Sequence, residues 1–511
     1  MKTLYYKFRA FVVTWLLRLL PRHSPVVFKG QGSAVVLTEQ LAILGFKKVL
    51  IVTDAFLAGS GILDGIKQQM EKDGVDYAIF DGVLPDPAFD QVQAGEALLR
   101  TESCEAVIAV GGGSVLDAGK LIALLHTNPG DLASFDGIQK AKHPGLPLFA
   151  VPTTAGTGSE ITLASVITDP ESHRKVPVVD SKLIPGYVAL DAEIMKGMPK
   201  GITAATGMDA LTQVIEPYTC CRANPVTDAI CRDAIPRIAR SLRRAYELGE
   251  DLEAREDMAL GSLFGGLALA NSGLGAVHGF AAPLGGMFPA PHGAVCAALL
   301  PPVMAANLQA LRARDAKSKT IARYEEIARW LTGDKNAQAE EGVEWIRQLG
   351  DDLRIPSLRS HGIKESDLPE LIANAAAASS MTAISASLIR RISQAFSQRS
   401  AICPAWAENR RKGSTNSPAA RLINRSESSP ATFSASMTIS AFLNRLSLKA
   451  PRNCVKKKGP KRRFTSSEKT LVLMASLRVA GHRPGLWVPP AGGRSHGRDC
   501  RRRWSRRARR G

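Results

Sequence analysis

Short apolar runs alternate with longer amphipathic stretches along the N-terminal part of this chain. Residues 48–53, 106–110 and 148–152 are each dominated by Val, Ile, Leu, Phe or Ala, and they stop at Asp54, at Gly111-Gly112-Gly113-Ser114 and at Pro152. Apolar runs of this length without polar interruption predict strands buried on both faces of a parallel sheet. The helical patterns between them predict βαβ units. From about residue 203 to 378 the period is helical, as in residues 258–270 and 321–331. The pattern predicts an α/β domain over residues 25–200 and an all-α domain over residues 201–380, with the cleft between them as the natural site.

The two ends behave differently. Residues 11–17 (Phe-Val-Val-Thr-Trp-Leu-Leu) form an apolar run between Arg9 and Arg18. It is too short to span a bilayer, and Pro21-Arg22-His23 is a poor cleavage site. An amphipathic extension over residues 1–24 is expected, packed on the domain in preference to lying on a membrane surface. After Met381 hydrophobic periodicity fades while Ser and Arg rise, with runs such as Lys456-Lys457-Lys458 and Arg501-Arg502-Arg503. The formal net charge of +19 belongs to that tail: from Met381 onward 29 Lys and Arg stand against 4 Asp and Glu, leaving 37 against 43 before it. The main body therefore carries no electrostatic footprint for nucleic acid. Residues 381–511 read as a disordered or frame-shifted tail in preference to a nucleic-acid-binding arm. The eight cysteines form no C-x-x-C pair. Such spacing suits a reducing cytoplasm and buried apolar filler.

Two polar loops carry nucleotide chemistry. Gly111-Gly112-Gly113-Ser114-Val115-Leu116-Asp117 follows a strand and opens a helix, whose N-terminal N–H groups and dipole favour phosphate. It lacks the G-x-G-x-x-G spacing, and any tight strand-to-helix turn could use such glycines. Asp54 ends an earlier strand, where a carboxylate accepts from a ribose 2′-hydroxyl and repels a 2′-phosphate, favouring NAD over NADP; the plainer reading is a helix N-cap. In Val151-Pro152-Thr153-Thr154-Ala155-Gly156-Thr157-Gly158-Ser159-Glu160, the hydroxyls of Thr153, Thr154, Thr157 and Ser159 suit ribose, phosphate or amide contacts, or simply cap turns.

A third group carries metal chemistry. Asp209 and Gln213 are four apart in a helical stretch and share one face. His278 and His292 each precede a glycine. A carboxylate and two imidazoles are a divalent-metal ligand set. Gln213 reads equally as a ligand through its carbonyl oxygen or as a hydrogen-bonder beside the ligands.

Together the GGGSVLD turn, the VPTTAGTGSE loop, GMDALTQVIEPY, the HG-x-x-x-PLG segment and PHG resemble the iron-containing (group III) alcohol dehydrogenase family across residues 25–380. The resemblance implies an α/β NAD(P)-binding domain followed by a helical metal domain of the dehydroquinate synthase-like architecture. It implies reversible hydride transfer between a small-molecule alcohol and an aldehyde or ketone. Gly111, Gly112, Gly113, Ser114 and Asp117 would meet the pyrophosphate, Asp54 and Lys175 the riboses, and Thr153, Thr154, Thr157 and Ser159 the rest of the cofactor. Asp209, His278 and His292 would be catalytic as ligands of iron or zinc. Gln213 stands where the family usually has a histidine, which marks a subgroup and leaves both metal identity and metal dependence open. Ala282 stands where the family usually has a second histidine, so the proton is expected to leave by water or a ribose hydroxyl. Same-fold alternatives are a glycerol dehydrogenase, a maleylacetate reductase-like enzyme or a dehydroquinate synthase-type lyase; an inactive, basic-tailed member is a further one. Homo-oligomerisation is left open.

Overall fold

The computed structural model describes residues 24–377, apart from Ser172 and His173. The apolar run at residues 11–17 and the tail after Met381 lie outside the described residues. Six parallel strands form the main sheet: β1 (Val26–Lys29), β2 (Lys48–Val52), β3 (Asp76–Phe80), β4 (Ala106–Gly111), β6 (Leu148–Pro152) and β9 (Tyr187–Leu190), in the order β1-β9-β6-β4-β2-β3. A small second sheet has the order β5-β8-β7, from β5 (Gly137–Ile138), β7 (Ala164–Thr168) and β8 (Lys175–Val179).

The continuous apolar runs have a direct structural cause. Leu50, Val52, Val107 and Ala109 face one core layer, against Leu116 and Leu121. Val49, Ile51, Ala106, Ile108 and Val110 face the other, against Leu37, Leu41, Ile66 and Met70. Side chains alternate faces along a strand, so apolar residues at every position mean that helices cover both faces. Those helices are α1 (Ser33–Ile43), α2 (Ala55–Gly59), α3 (Asp64–Asp73), α4 (Phe89–Thr101) and α5 (Gly113–Thr127).

From Lys200 the chain is helical: α6 (Lys200–Thr219), α7 (Pro225–Glu247), α8 (Leu252–Ser272), α9 (Ala276–Met287), α10 (His292–Arg314), α11 (Lys319–Thr332), α12 (Ala339–Asp352) and α13 (Leu368–Ala377). Helix α6 is the central member. Its residues from Gly207 to Tyr218 are all buried, and α7, α8 and α10 pack around it. The result is a doubly wound sheet followed by a helical bundle.

The strand order places the site. After β2 the chain adds β3 on one side, then returns to place β4 on the other. The carboxyl ends of β2 and β4 therefore flank a topological switch point, where open α/β sheets leave a ligand crevice.

Candidate active site and metal centre

Asp54 follows β2, Gly111 ends β4 with Gly112 to Ser114 after it, and Thr153 and Thr154 follow β6. All three loops lie at the carboxyl edge of neighbouring strands. Helix α5 opens with Gly112 as its N-cap, and no side chain caps its first turn. Its leading N–H groups are therefore free to bind an anion. A β-carbon on Gly113 would fall 2.7 Å from Thr157 Cγ2, so only glycine lets the two polar loops close on each other.

Several of the sequence-picked residues have other partners in the structure. Asp54 is the N-cap of α2, its Oδ1 accepting from Leu57 N at 2.9 Å. Asp117 accepts from Ser159 Oγ at 2.5 Å and from Val166 N at 2.9 Å, so both carboxylate oxygens are engaged inside the protein. Burial raises its pKa, with Lys120 opposing. Lys175 Nζ meets Asp86 at 2.5 Å and Thr168 Oγ1 at 3.1 Å. The sequence reading passed over Lys120. It is 1% exposed and ties the second loop to α5, donating to Ser159 Oγ at 2.8 Å and to Ala164 O at 2.7 Å. Burial lowers its pKa against the pull of Asp117.

The second loop reaches the helical half. Gly158, at φ +61, lies so close to α8 that its β-carbon would sit 2.7 Å from Gly266 Cα. One residue earlier on α8, Gly265 packs against the side chain of Gln213 on α6. The nucleotide loops and the metal-type residues are thus separated by little more than one helix backbone.

On that far side, Asp209 of α6, His278 of α9 and His292 of α10 converge. His278 Nε2 lies 3.4 Å and His292 Nε2 3.8 Å from Asp209 Oδ1. Asp209 is 2% exposed. Its Oδ2 accepts from Gln213 Nε2 at 3.1 Å, while its Oδ1 has no hydrogen-bond partner. A buried carboxylate oxygen left without a partner is costly, and here it faces two imidazole nitrogens. That is the arrangement a cation between them would satisfy. Burial works to raise the Asp209 pKa, but His278 and His292 outweigh it and hold the carboxyl below its usual range. Burial works to lower the His278 pKa, yet Cys296, Asp209 and Glu216 raise it well above 6.5.

Two participants were missed. Glu216 lies two turns after Asp209 on the same face of α6. Its Oε2 meets His278 Nδ1 at 2.7 Å and its Oε1 accepts from Val277 N at 2.6 Å. It both caps α9 and fixes the ring so that Nε2 faces the cluster. Cys296 is fully buried one turn after His292, with Sγ 3.6 Å from His292 Nε2 and 3.9 Å from His278 Nε2. The filler reading suits Cys104 and Cys231, whose thiols burial pushes up to about 11 and about 12. It fails for Cys296, which faces two imidazoles and a carboxylate. The sequence signals were Glu216 at i+7 from Asp209 and Cys296 at i+4 from His292.

The sequence pattern described as iron-containing alcohol dehydrogenase matches residues 24–192, and that of the C-terminal part of Fe-containing alcohol dehydrogenases matches residues 203–392. The chain belongs to the iron-containing alcohol dehydrogenase family. It is 42% identical over 348 residues to a 1,3-propanediol dehydrogenase of Klebsiella pneumoniae, covering 67% of this chain and 89% of that one. It is 38% identical over 352 residues to an NAD-dependent methanol dehydrogenase of Bacillus methanolicus, covering 69% and 91%. A crystal structure of a 1,3-propanediol oxidoreductase superposes with a TM-score of 0.67 at 38% identity, covering 73% of this chain and all of that one. Gln213 directs its amide nitrogen at Asp209, and Ala282 lies exposed on α9 one turn after His278.

Proposed function

We propose that this member of the iron-containing alcohol dehydrogenase family is an NAD-dependent oxidoreductase. It interconverts a small-molecule alcohol and the corresponding aldehyde or ketone at a divalent-metal centre that includes Asp209, His278 and His292. The observation that carries the reading is the unpartnered, buried Asp209 Oδ1 facing two imidazole nitrogens, one helix away from glycine-rich loops at the switch point of the sheet. The relatives named as propanediol and methanol dehydrogenases, the latter NAD-dependent, support the same assignment.

When bound, a divalent cation supplies Lewis-acid polarisation of the substrate oxygen, and NAD supplies the hydride acceptor or donor. This chain's own residues do the rest. The uncapped first turn of α5 and Gly111 to Ser114 bind the pyrophosphate. Asp54, at the end of β2, disfavours a 2′-phosphate and so favours NAD. Glu216 keeps His278 Nε2 aimed at the cluster. His292 leaves 47% of its side chain exposed, so the cluster is open on that side to a substrate. Ala282 carries no group that could take the alcohol proton, so that role falls to water or a ribose hydroxyl.

The purified protein, assayed with NADH and a panel of short aldehydes and ketones, is expected to form the corresponding alcohols, and NADPH is expected to serve poorly. Products other than alcohols, or no NADH consumption by metal-loaded protein with any carbonyl, overturn the reading. For the proton route, Ala282→His is expected to change the pH–rate profile; an unchanged profile counts against a missing relay group.

A further inference from the structure

The geometry points to Cys296 as the fourth protein donor of the centre, with Gln213 as a positioning residue for Asp209. This rests on the reading of the cluster as a metal centre, and goes beyond it by naming the ligand and its chemistry.

Distances make the first argument. A tetrahedral zinc-class ion with bonds of about 2.0–2.3 Å sets its donors about 3.3–3.8 Å apart. Asp209 Oδ1 to His278 Nε2 is 3.4 Å, Asp209 Oδ1 to His292 Nε2 is 3.8 Å, Cys296 Sγ to His292 Nε2 is 3.6 Å and Cys296 Sγ to His278 Nε2 is 3.9 Å. Every pair among these four donor atoms lies within 4.8 Å. Four of the six edges of a tetrahedron are therefore already near their bonded lengths, and the exposed His292 side leaves room for a substrate oxygen as a fifth ligand. The sulfur is not alone in this pocket. Asp209 is 98% buried by its 2% exposure, and its unpartnered Oδ1 is aimed into the same space.

The second argument concerns Gln213. Its Nε2 donates to Asp209 Oδ2 at 3.1 Å, which fixes the carboxylate with Oδ1 turned to the imidazoles. Its Oε1 has no hydrogen-bond partner and lies against α8, 3.2 Å from where a β-carbon on Gly265 would sit. To ligate through Oε1, the amide would have to release the bond that orients Asp209. A neutral amide oxygen is also a weaker donor to zinc or iron than a thiolate.

Charge makes the third. Counted over the directly bonded groups alone, Asp209, two neutral imidazoles and an amide leave a divalent ion with one positive charge, offset only by the Glu216 side chain that meets His278 Nδ1 at 2.7 Å. With the Cys296 thiolate in the set, the ion and its directly bonded donors sum to zero. On loading, the S–H bond breaks, a sulfur–metal bond forms, and the proton passes to solvent on the exposed His292 side; no electrons change hands. Carboxylate, two imidazoles and one thiolate are a donor set suited to zinc.

The test uses full-length protein stripped by chelation and reloaded. Zinc-loaded wild type is expected to show, by X-ray absorption at the zinc edge, one sulfur at about 2.3 Å beside nitrogen and oxygen donors. Cobalt-loaded wild type is expected to show a thiolate-to-cobalt charge-transfer band in the near ultraviolet. Cys296→Ser is expected to lose that band, while Gln213→Leu still binds one cobalt per chain and keeps it. Bound zinc with only nitrogen and oxygen neighbours overturns the role of Cys296 and leaves the metal-centre reading intact. A Gln213→Leu protein that is folded but holds no ion overturns the positioning role. Wild type that retains no ion overturns both readings. The absorption measurement needs no variant, so it stands even where a substitution at the buried Cys296 fails to fold.

Discussion

Glu216 shows how much of the proposed centre depends on single atoms outside its candidate ligands. It fixes His278 through a 2.7 Å contact to Nδ1, which leaves Nε2 for the cluster. Groups that orient ligands in this way typically carry about 10–100-fold in metal affinity. Glu216→Gln is expected to weaken zinc binding by about that factor in a chelator competition; unchanged affinity would remove Glu216 from the centre. Asp54 is the counterpart at the nucleotide end. Its Oδ1 caps α2, so its charge is held at the end of β2. Asp54→Asn keeps the cap's acceptor and removes the charge. It is expected to narrow the preference for NADH over NADPH by about tenfold, or about 1.4 kcal/mol. An unchanged ratio of kcat/KM values would assign Asp54 to capping alone. The residue types were legible because carboxylate and imidazole are unusual at helix positions that must be buried. Cys296 and Glu216 were less so, since their meaning depends on which helices meet, and no local period encodes that.

Among the elements, α10 makes the most demanding contact. Gly293 follows His292 where α10 starts against α6, and a β-carbon there would fall 2.2 Å from Ala205 O. A backbone oxygen cannot swing aside as a side chain can, so the helix itself must shift. Gly293→Ala is expected to cost about 1–3 kcal/mol of stability and to weaken metal binding, because His292 and Cys296 move with α10. A melting temperature and zinc affinity equal to wild type would contradict that packing. The strands were readable in the sequence for a related reason: only helices on both faces can bury unbroken apolar runs such as residues 106–110, and the structure has them. The partners of Asp117 and Lys175 were not readable. Asp117 turns to Ser159 and Val166, and Lys175 to Asp86, across separations of 42, 49 and 89 residues. Only tertiary folding brings such groups together.

At the scale of the whole molecule, the loop that joins the sheet to the bundle stores an unfavourable charge. Glu160 is 2% exposed, and burial raises its carboxyl to about 7 from 4.5, against the pull of Lys120. The folded state therefore holds this proton more tightly than the unfolded chain does. Stability from this group is fully present below about pH 4.5 and is lost as pH rises through about 7. Glu160→Gln is expected to melt near wild type at pH 5 and to be more stable at pH 8 by up to about 3 kcal/mol. The same difference at both pH values would show that Glu160 is not titrating in the fold. The order of the strands could not be read from their sequences. It decides that Asp54, Gly111 to Ser114 and Thr153 stand at one edge, within reach of α6 and α8. In the proposed function that edge and the metal cluster form one active site. The most direct test is NADH-dependent reduction of a short aldehyde by chelated protein as zinc or ferrous ion is returned. Turnover is predicted to vanish on stripping and to recover in proportion to added metal up to one equivalent per chain. Full turnover by protein verified as metal-free would contradict it.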